Sequence, residues 1–147
     1  MSKKRKLIIA LVAFSGIVAV GLGIHFKPTS PELTRLGDYS VTSKGMRFEI
    51  DLASNSTTGY TWTASDVNKE NCTLDDIVYQ AYPSKDNRVG SDGYSRVTGK
   101  VKEAGQTQFH LTYCQDWEGG KKELTDRITI SSSKTKINKI KLTKVSE

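Results

Sequence analysis

Apolar and polar residues alternate with a period of two along most of the chain beyond residue 38. The clearest case runs from Met46 to Leu52, where four apolar residues at even positions alternate with three charged residues at odd positions. Side chains of a β-strand point to opposite faces in turn, so this pattern is typical of an antiparallel strand with one buried face. A strand is therefore predicted over residues 46–52.

Six other short segments have the same alternation or are rich in β-branched and aromatic residues, and each is bounded by Gly, Asn, Asp, Ser or Pro. They cover residues 39–41, 60–64, 77–82, 94–101, 109–113 and 128–130. A last stretch, 137–145, predicts an additional edge strand protected by lysines. No segment has the pattern of a long amphipathic helix. Seven short strands within about 110 residues predict an all-β fold, an immunoglobulin-like antiparallel sandwich.

The direction of successive strands predicts which loops lie together. If the strands run alternately up and down, the connections 54–59, 84–93 and 114–122 leave the sandwich at one end. Cys72 and Cys114, the two cysteines, then fall at opposite ends. Pairs of cysteines in exported proteins are often bridged, but a disulfide requires Cα atoms within about 7 Å. Two free thiols are therefore expected.

The amino terminus combines a basic flank, residues 3–6, with an uncharged apolar run, residues 7–24. The run is longer than the core of a signal peptide, about 7–15 residues, and near the lower limit of a spanning helix, roughly 17 residues. We therefore predict an apolar helix within residues 1–26, either a signal peptide or a signal anchor, and then a stalk over 27–32, which holds two of the three prolines. Since a positive flank stays in the cytoplasm, the remainder is expected outside it, membrane-anchored or secreted after cleavage.

The charge distribution argues against a nucleic-acid partner. The formal net charge is +6, but removing the four basic residues at positions 3–6 leaves only +2. The other bases are interspersed with acids up to a lysine-rich end, whereas nucleic-acid binding favours bases gathered on one face with aromatic residues between them. No nucleic acid is expected as a partner.

Two loops contain the motifs that point to a function. Residues 55–62 read NSTTGYTW, which resembles the signature N-P-T-T-G-[YF]-x-W of chagasin-type inhibitors of papain-like cysteine peptidases, with Ser56 in place of proline. Residues 111–119 read LTYCQDWEG and are similar to the family pattern L-x-Y-x-R-P-W-x-G, with Gln115 and Asp116 replacing Arg and Pro. The likeness covers roughly residues 39–131.

The resemblance implies that residues 33–147 form an inhibitor domain that acts as a monomer and reversibly blocks the cleft of a papain-like cysteine peptidase. Three loops would contact the peptidase, the middle one over the catalytic residues. The residues assigned to this contact by analogy are Asn55, Thr57, Thr58 and Gly59 in the centre, Gly90, Asp92 and Gly93 on one flank, and Trp117 on the other.

The two tryptophans are expected to differ in role. Trp62 lies two residues along a strand from Tyr60 and should point into the core, where it would anchor the loop. Trp117 follows a strand into a glycine-rich loop, which favours contact with a partner, because tryptophan is frequent among interface hot spots. The alternative for Trp117 is a ring folded back as a lid on the sandwich.

Candidate catalytic groups are few. His25 belongs to the apolar segment and His110 to the polar face of a strand, and the cysteines and histidines lack the spacing of a zinc site. We therefore expect neither enzymatic activity nor a metal or other cofactor. The competing hypothesis is a membrane-anchored immunoglobulin-like interaction module of the cell envelope without inhibitory activity, because sandwich folds have many functions.

Overall fold

A computed structural model of the chain describes residues 7–9, 32–82 and 93–146. Within these ranges the secondary structure consists of ten strands and one short 3-10 turn, Ser56–Thr58. The strands are β1 Leu7–Ile9, β2 Tyr39–Lys44, β3 Arg47–Ser54, β4 Tyr60–Ser65, β5 Cys72–Leu74, β6 Val78–Ala81, β7 Gly93–Val101, β8 Gly105–Gln115, β9 Lys122–Ser132 and β10 Ile137–Lys144. No helix in the described ranges is long and apolar enough to cross a membrane.

The strands form two sheets. The first has the order β1-β2-β3-β7-β5, with β6 also paired to β7, and the second has the order β10-β9-β8-β4. All pairs are antiparallel except β1 with β2. The all-β prediction is confirmed, and the additional edge strand predicted near the carboxyl end is β10.

Two short strands differ from the prediction. Residues 72–74, for which no strand is predicted, form β5. It pairs with β7 on the same edge as β6, and its Cys72 is buried and lies opposite Val101. Residues 7–9, expected to begin a helix, form β1, whose Leu-Ile-Ile backbone pairs with the free edge of β2. Both isoleucines are β-branched and favour extended backbone. The rest of the predicted apolar helix and the stalk up to residue 31 lie outside the described residues.

The core lies between the facing sheets and consists of the inward residues of the alternating pattern. Phe48 and Ile50 of β3 meet Phe109 of β8 and Ile128 of β9, and each is at most 3% exposed. The rings of Phe48 and Phe109 have centroids 6.1 Å apart, so they connect the sheets directly. Burial of this apolar surface is the main stabilising contribution in such a fold.

The outer face of the first sheet carries a buried ion pair. Asp51, predicted to be solvated, is only 3% exposed, and its carboxylate accepts hydrogen bonds from Nε and Nη2 of Arg96 at 2.9 and 3.1 Å. The same guanidinium lies 3.1 Å from Glu49, and its hydrogen bonds to Asp51 raise the pKa of Arg96. The pKa of Glu49 is raised by its burial, and the opposing effect of the nearby Arg96 charge is the smaller one. A two-pronged contact of this kind compensates a carboxylate for its lost hydration.

A tyrosine pair beside this ion pair holds the first described residues of the domain. Tyr82 accepts a hydrogen bond of 2.7 Å from the backbone nitrogen of Leu33, and its ring lies 5.5 Å from that of Tyr94. Leu33 itself is 1% exposed. Segment 32–38 is therefore held against the sandwich. It lies next to the end of β3, because the backbone nitrogen of Ala53 donates a hydrogen bond to the carbonyl oxygen of Asp38.

The cysteines lie at opposite ends, and both are unbridged. Cys72 pairs with Val101 at the end of β7, whereas Cys114 pairs with Thr61 near the start of β4. The predicted free thiols are therefore confirmed. Burial raises the pKa of the Cys72 thiol to about 11, so this thiol stays protonated and unreactive at neutral pH.

Candidate functional site

Three connections leave the sandwich at one end, as the strand directions predict. Ser54 at the end of β3 pairs with Gly93 at the start of β7, and Ala81 at the end of β6 pairs with the same glycine. In the second sheet, Tyr60 at the start of β4 pairs with Gln115 at the end of β8. The three connections therefore begin from neighbouring positions. They are loop 55–59, the connection that ends at Gly93, and loop 116–121.

Loop 55–59 is closed by its own side chains. Asn55 has extended backbone and caps the 3-10 turn; its Oδ1 accepts hydrogen bonds from the nitrogen and Oγ1 of Thr57 at 3.0 and 2.6 Å. Thr58 Oγ1 donates to the carbonyl of Asn55 at 2.8 Å. Gly59 ends the turn at φ +77°, a left-handed conformation that a side chain disfavours. The loop is therefore a compact turn with defined geometry.

Tyr113 supports this loop from below. Its hydroxyl accepts a hydrogen bond from the backbone nitrogen of Asn55 at 3.1 Å, lies 3.4 Å from the carbonyl oxygen of the same residue and lies 3.4 Å from Thr58 Oγ1. The ring is 4% exposed and lies between Tyr60 and Trp62, at centroid distances of 5.4 and 5.2 Å. Sequence reasoning missed this role, because the strand pattern identifies Tyr113 only as a core position; the signal was that a buried tyrosine needs a partner for its hydroxyl.

Trp62 anchors the base of the loop, as expected. It is 2% exposed, and its Nε1 donates a hydrogen bond of 3.1 Å to the carbonyl of Ala53. Ala53 lies on β3 in the other sheet, so this bond joins the two strands that the loop connects. The predicted core position of Trp62 is confirmed.

Trp117 lies over the tip of loop 55–59. A Cβ placed on Gly59 would lie 3.1 Å from Cη2 and 3.5 Å from Cζ3 of the Trp117 ring. The ring nevertheless remains 57% exposed. Trp117 is therefore not a lid on the core: it packs on the neighbouring loop and presents more than half of its surface to solvent.

Gln115 closes loop 116–121 at its base. Its backbone nitrogen donates to the carbonyl of Lys121 at 2.9 Å, and its Oε1 accepts from the nitrogen of Lys121 at 3.1 Å. Within the loop, Gly120 donates to the carbonyl of Trp117 at 2.9 Å. The backbone also requires Gly120, since a Cβ there would lie 2.1 Å from the carbonyl oxygen of Gln115. Gln115, which stands where the similar motif has arginine, thus fixes the backbone of the loop that carries Trp117.

The remaining predicted contact residues fall into three groups. Thr57, Thr58 and Gly59 are exposed at the tip, and Asn55 is half-buried beneath them. Gly93 is buried, and a Cβ there would lie 2.2 Å from the carbonyl oxygen of Gln80, so the close approach of β6 to β7 accounts for this glycine. Its contact with a partner stays a prediction. Gly90 and Asp92 lie outside the described residues.

A small pocket of about 270 Å³ lies beside the loop and includes Asn55, Thr58 and Tyr60 in its walls. Leu36, from the segment before β2, lines the same pocket and is 41% exposed. The sequence does not indicate this proximity, because segment 32–38 has no strand pattern. Among the residues that the structure describes, no three potential metal ligands come together.

Comparison with known proteins identifies one family. The sequence model described as Chagasin family peptidase inhibitor I42 matches residues 41–131, which is well over half of the 147 residues. The match includes loops 55–59 and 116–121 and ends within β9. No curated protein and no solved structure matches the chain.

Tyr113→Phe tests the support of the loop. The substitution keeps the packed ring but removes the hydroxyl that accepts the hydrogen bond from the Asn55 nitrogen, so we expect a loss of about 1–2 kcal/mol in the free energy of unfolding. Denaturant titration measures the loss, and amide hydrogen exchange at Asn55 should become faster. The matched control is Tyr60→Phe, whose hydroxyl has no partner among the described residues; it should change stability by less than about 0.5 kcal/mol. Equal effects of the two variants would contradict a special role for Tyr113.

Ser56→Pro tests whether the loop already has the conformation that proline favours. Ser56 is the first residue of the 3-10 turn, and Asn55 before it is extended at φ −133° and ψ 109°, as a residue preceding proline prefers. We expect a gain of about 0.4–1 kcal/mol in unfolding free energy, because proline restricts the unfolded chain. Thr57→Pro is the control and should destabilise, since it removes the bond from the Thr57 nitrogen to Asn55. A loss of stability in Ser56→Pro would show that the loop has another backbone geometry.

Proposed function

The chain belongs to the chagasin family of peptidase inhibitors, and on this premise we propose that it reversibly inhibits papain-like cysteine peptidases by blocking their catalytic cleft with the loops at one end of the sandwich. The family consists of inhibitors, so the chain is not an enzyme. The observation that carries the finer proposal is the loop at 55–59: an exposed, uncharged tip whose backbone is fixed from within by Asn55 and from below by Tyr113.

The geometry of the tip suits a wedge that is bound without being cleaved. The tip does not present an extended strand to a peptidase: it is a 3-10 turn closed by Asn55 at its start and by Gly59 at its end. Thr57 and Thr58 present small side chains, and the glycine allows close approach of the backbone. Since the turn is ordered before binding, less conformational entropy is lost in the complex.

Trp117 provides a second contact next to the wedge. Its ring lies against Gly59 and is 57% exposed, so a partner that covers the tip also covers the ring. Tryptophans at the centre of an interface often dominate its affinity. In this proposal Gly90, Asp92 and Gly93 contribute the other flank.

The site of action in this proposal is outside the cytoplasm. The support is the basic flank at residues 3–6 followed by the apolar run 7–24, which together orient the following residues away from the cytoplasm. The domain would act as a monomer, either anchored to the membrane by its amino-terminal segment or released after cleavage. In either state residues 7–9 would no longer pair with β2 as β1.

Thr57→Arg tests the wedge. A bulky cation at the tip should abolish inhibition of papain by steric exclusion. The residue is exposed, so the melting temperature should change little. The control Thr57→Ser keeps the hydroxyl that bonds to Asn55 and should inhibit nearly as well as the parent. Inhibition is measured with a fluorogenic peptide substrate, and alkylation of the papain thiol by iodoacetamide should be slow in the complex.

The same assay distinguishes the inhibitor hypothesis from the interaction-module hypothesis. If the parent does not inhibit any papain-like peptidase, the interaction-module hypothesis takes the place of the inhibitor. If the parent and Thr57→Arg inhibit equally well, the chain is an inhibitor but the wedge is wrong.

Trp117→Ala tests the second contact. Because the ring packs on a loop tip and not in the core, its removal should cost little stability. Inhibition should weaken by about 2 kcal/mol, roughly thirtyfold in the inhibition constant. Trp117→Phe should lose less, since it retains part of the apolar surface over Gly59. A fall in melting temperature of several degrees together with unchanged inhibition would assign Trp117 a purely structural role.

A further inference from the structure

The last strand of the sandwich lies outside the family match, which ends at residue 131. Strand β10 pairs with β9 along residues 137–144, and Ile137 and Leu142 are buried at 8% and 7% exposure. The strand is therefore an integral part of the second sheet. Residues 132–146 also contain five lysines and no acidic residue. Charge on an edge strand opposes pairing with other chains, and here it also gives the strand a positive outer face.

The outward residues of β9 and β10 form a basic groove of about 440 Å³. Lys139 and Lys141 project from β10 and Arg127 from β9, with Lys141 opposite Thr129 in the register. None of these three cations makes an ion pair or hydrogen bond with another residue that the structure describes. They are therefore available to bind an anion.

The other walls of the groove are polar and uncharged. Gln106 and Gln108 of β8 contribute amides and Thr129 a hydroxyl, and among the residues that the structure describes no acidic, aromatic or aliphatic side chain lines the groove. Lys139 and Lys141 are two residues apart on one strand, so they project about 7 Å apart on the same face. Arg127 is the diagonal neighbour of Lys141, at about 7–8 Å. The three charges therefore form a row along the outer face of the sheet, each about 7–8 Å from the next.

We propose that this groove binds a linear acidic polysaccharide. Cations would pair with its carboxylate or sulfate groups, and the amides and hydroxyls would bond to the sugar hydroxyls. A membrane surface fits less well, because the described walls of the groove contain no apolar side chain that could enter lipid. A nucleic acid fits less well, because the same walls contain no aromatic ring on which bases could stack.

The position of the groove leaves the inhibitory loops free. Gln106 and Gln108 stand near the start of β8, whereas loop 116–121 follows its end. The two surfaces therefore lie towards opposite ends of the sandwich, and the chain binds polysaccharide and peptidase at the same time. The proposal does not rest on the proposed inhibition.

The test uses the full chain in mild detergent and heparin as the probe, with neutral dextran as the uncharged reference. The parent should bind heparin and not dextran. The double variant Lys139→Gln/Lys141→Gln should bind heparin about tenfold more weakly or worse, and the slope of log Kd against log salt should fall by about 2. The matched control, Lys44→Gln/Lys100→Gln, removes the same charge from exposed positions of the other sheet and should bind like the parent.

Three outcomes would overturn the proposal. Equal weakening in both double variants would show a diffuse charge effect instead of a groove. Binding of phosphatidylglycerol vesicles that depends on Lys139 and Lys141, without binding of heparin, would assign the groove to lipid. Competition between heparin and papain would place the polysaccharide on the inhibitory loops. Failure to inhibit papain, with heparin binding intact, would disprove only the inhibitor.

Discussion

The hydroxyl of Tyr113 and the backbone of Asn55 form the contact on which the loop end of the sandwich depends. A buried tyrosine hydroxyl must be hydrogen-bonded, and here its partner is the residue at which loop 55–59 leaves the sheet. The ring is fixed between Tyr60 and Trp62, and Trp62 is bonded to the opposite sheet through Ala53. The position of the tip is therefore determined by the core, and only its exposed side chains remain free to meet a partner.

Departures from the family motifs are compensated locally. Ser56 lacks the restricted φ of proline, but the side chain of Asn55 fixes the following residue instead. Gln115 lacks the charge of arginine, yet its amide closes the loop that carries Trp117. The loops therefore keep a defined shape with different residues.

The sequence predicted the sandwich and the end at which the loops cluster, because a period of two and alternating strand directions determine both. Side-chain contacts that leave no periodic signal were missed. The alternation places Asp51 on a solvated face, but Arg96 covers it. This contact depends on the register of β3 with β7, which the alternation does not show. The hydroxyl of Tyr113 was missed for a similar reason, since alternation shows that a side chain points inward but not which atom its far end meets. Strand β1 was missed because its partner is an edge distant in sequence.

The placement of the two tryptophans gives the chain two internal optical reporters, one in the core and one at the loop tip. Trp62 is 2% exposed at the base of the loop, Trp117 is 57% exposed at the tip, and there are no others. Fluorescence from the buried indole follows the integrity of the fold, while fluorescence from the exposed one shifts to shorter wavelength when a partner removes water from it. Unfolding of the core and covering of the tip by any partner would therefore change the emission in different ways, without any added label.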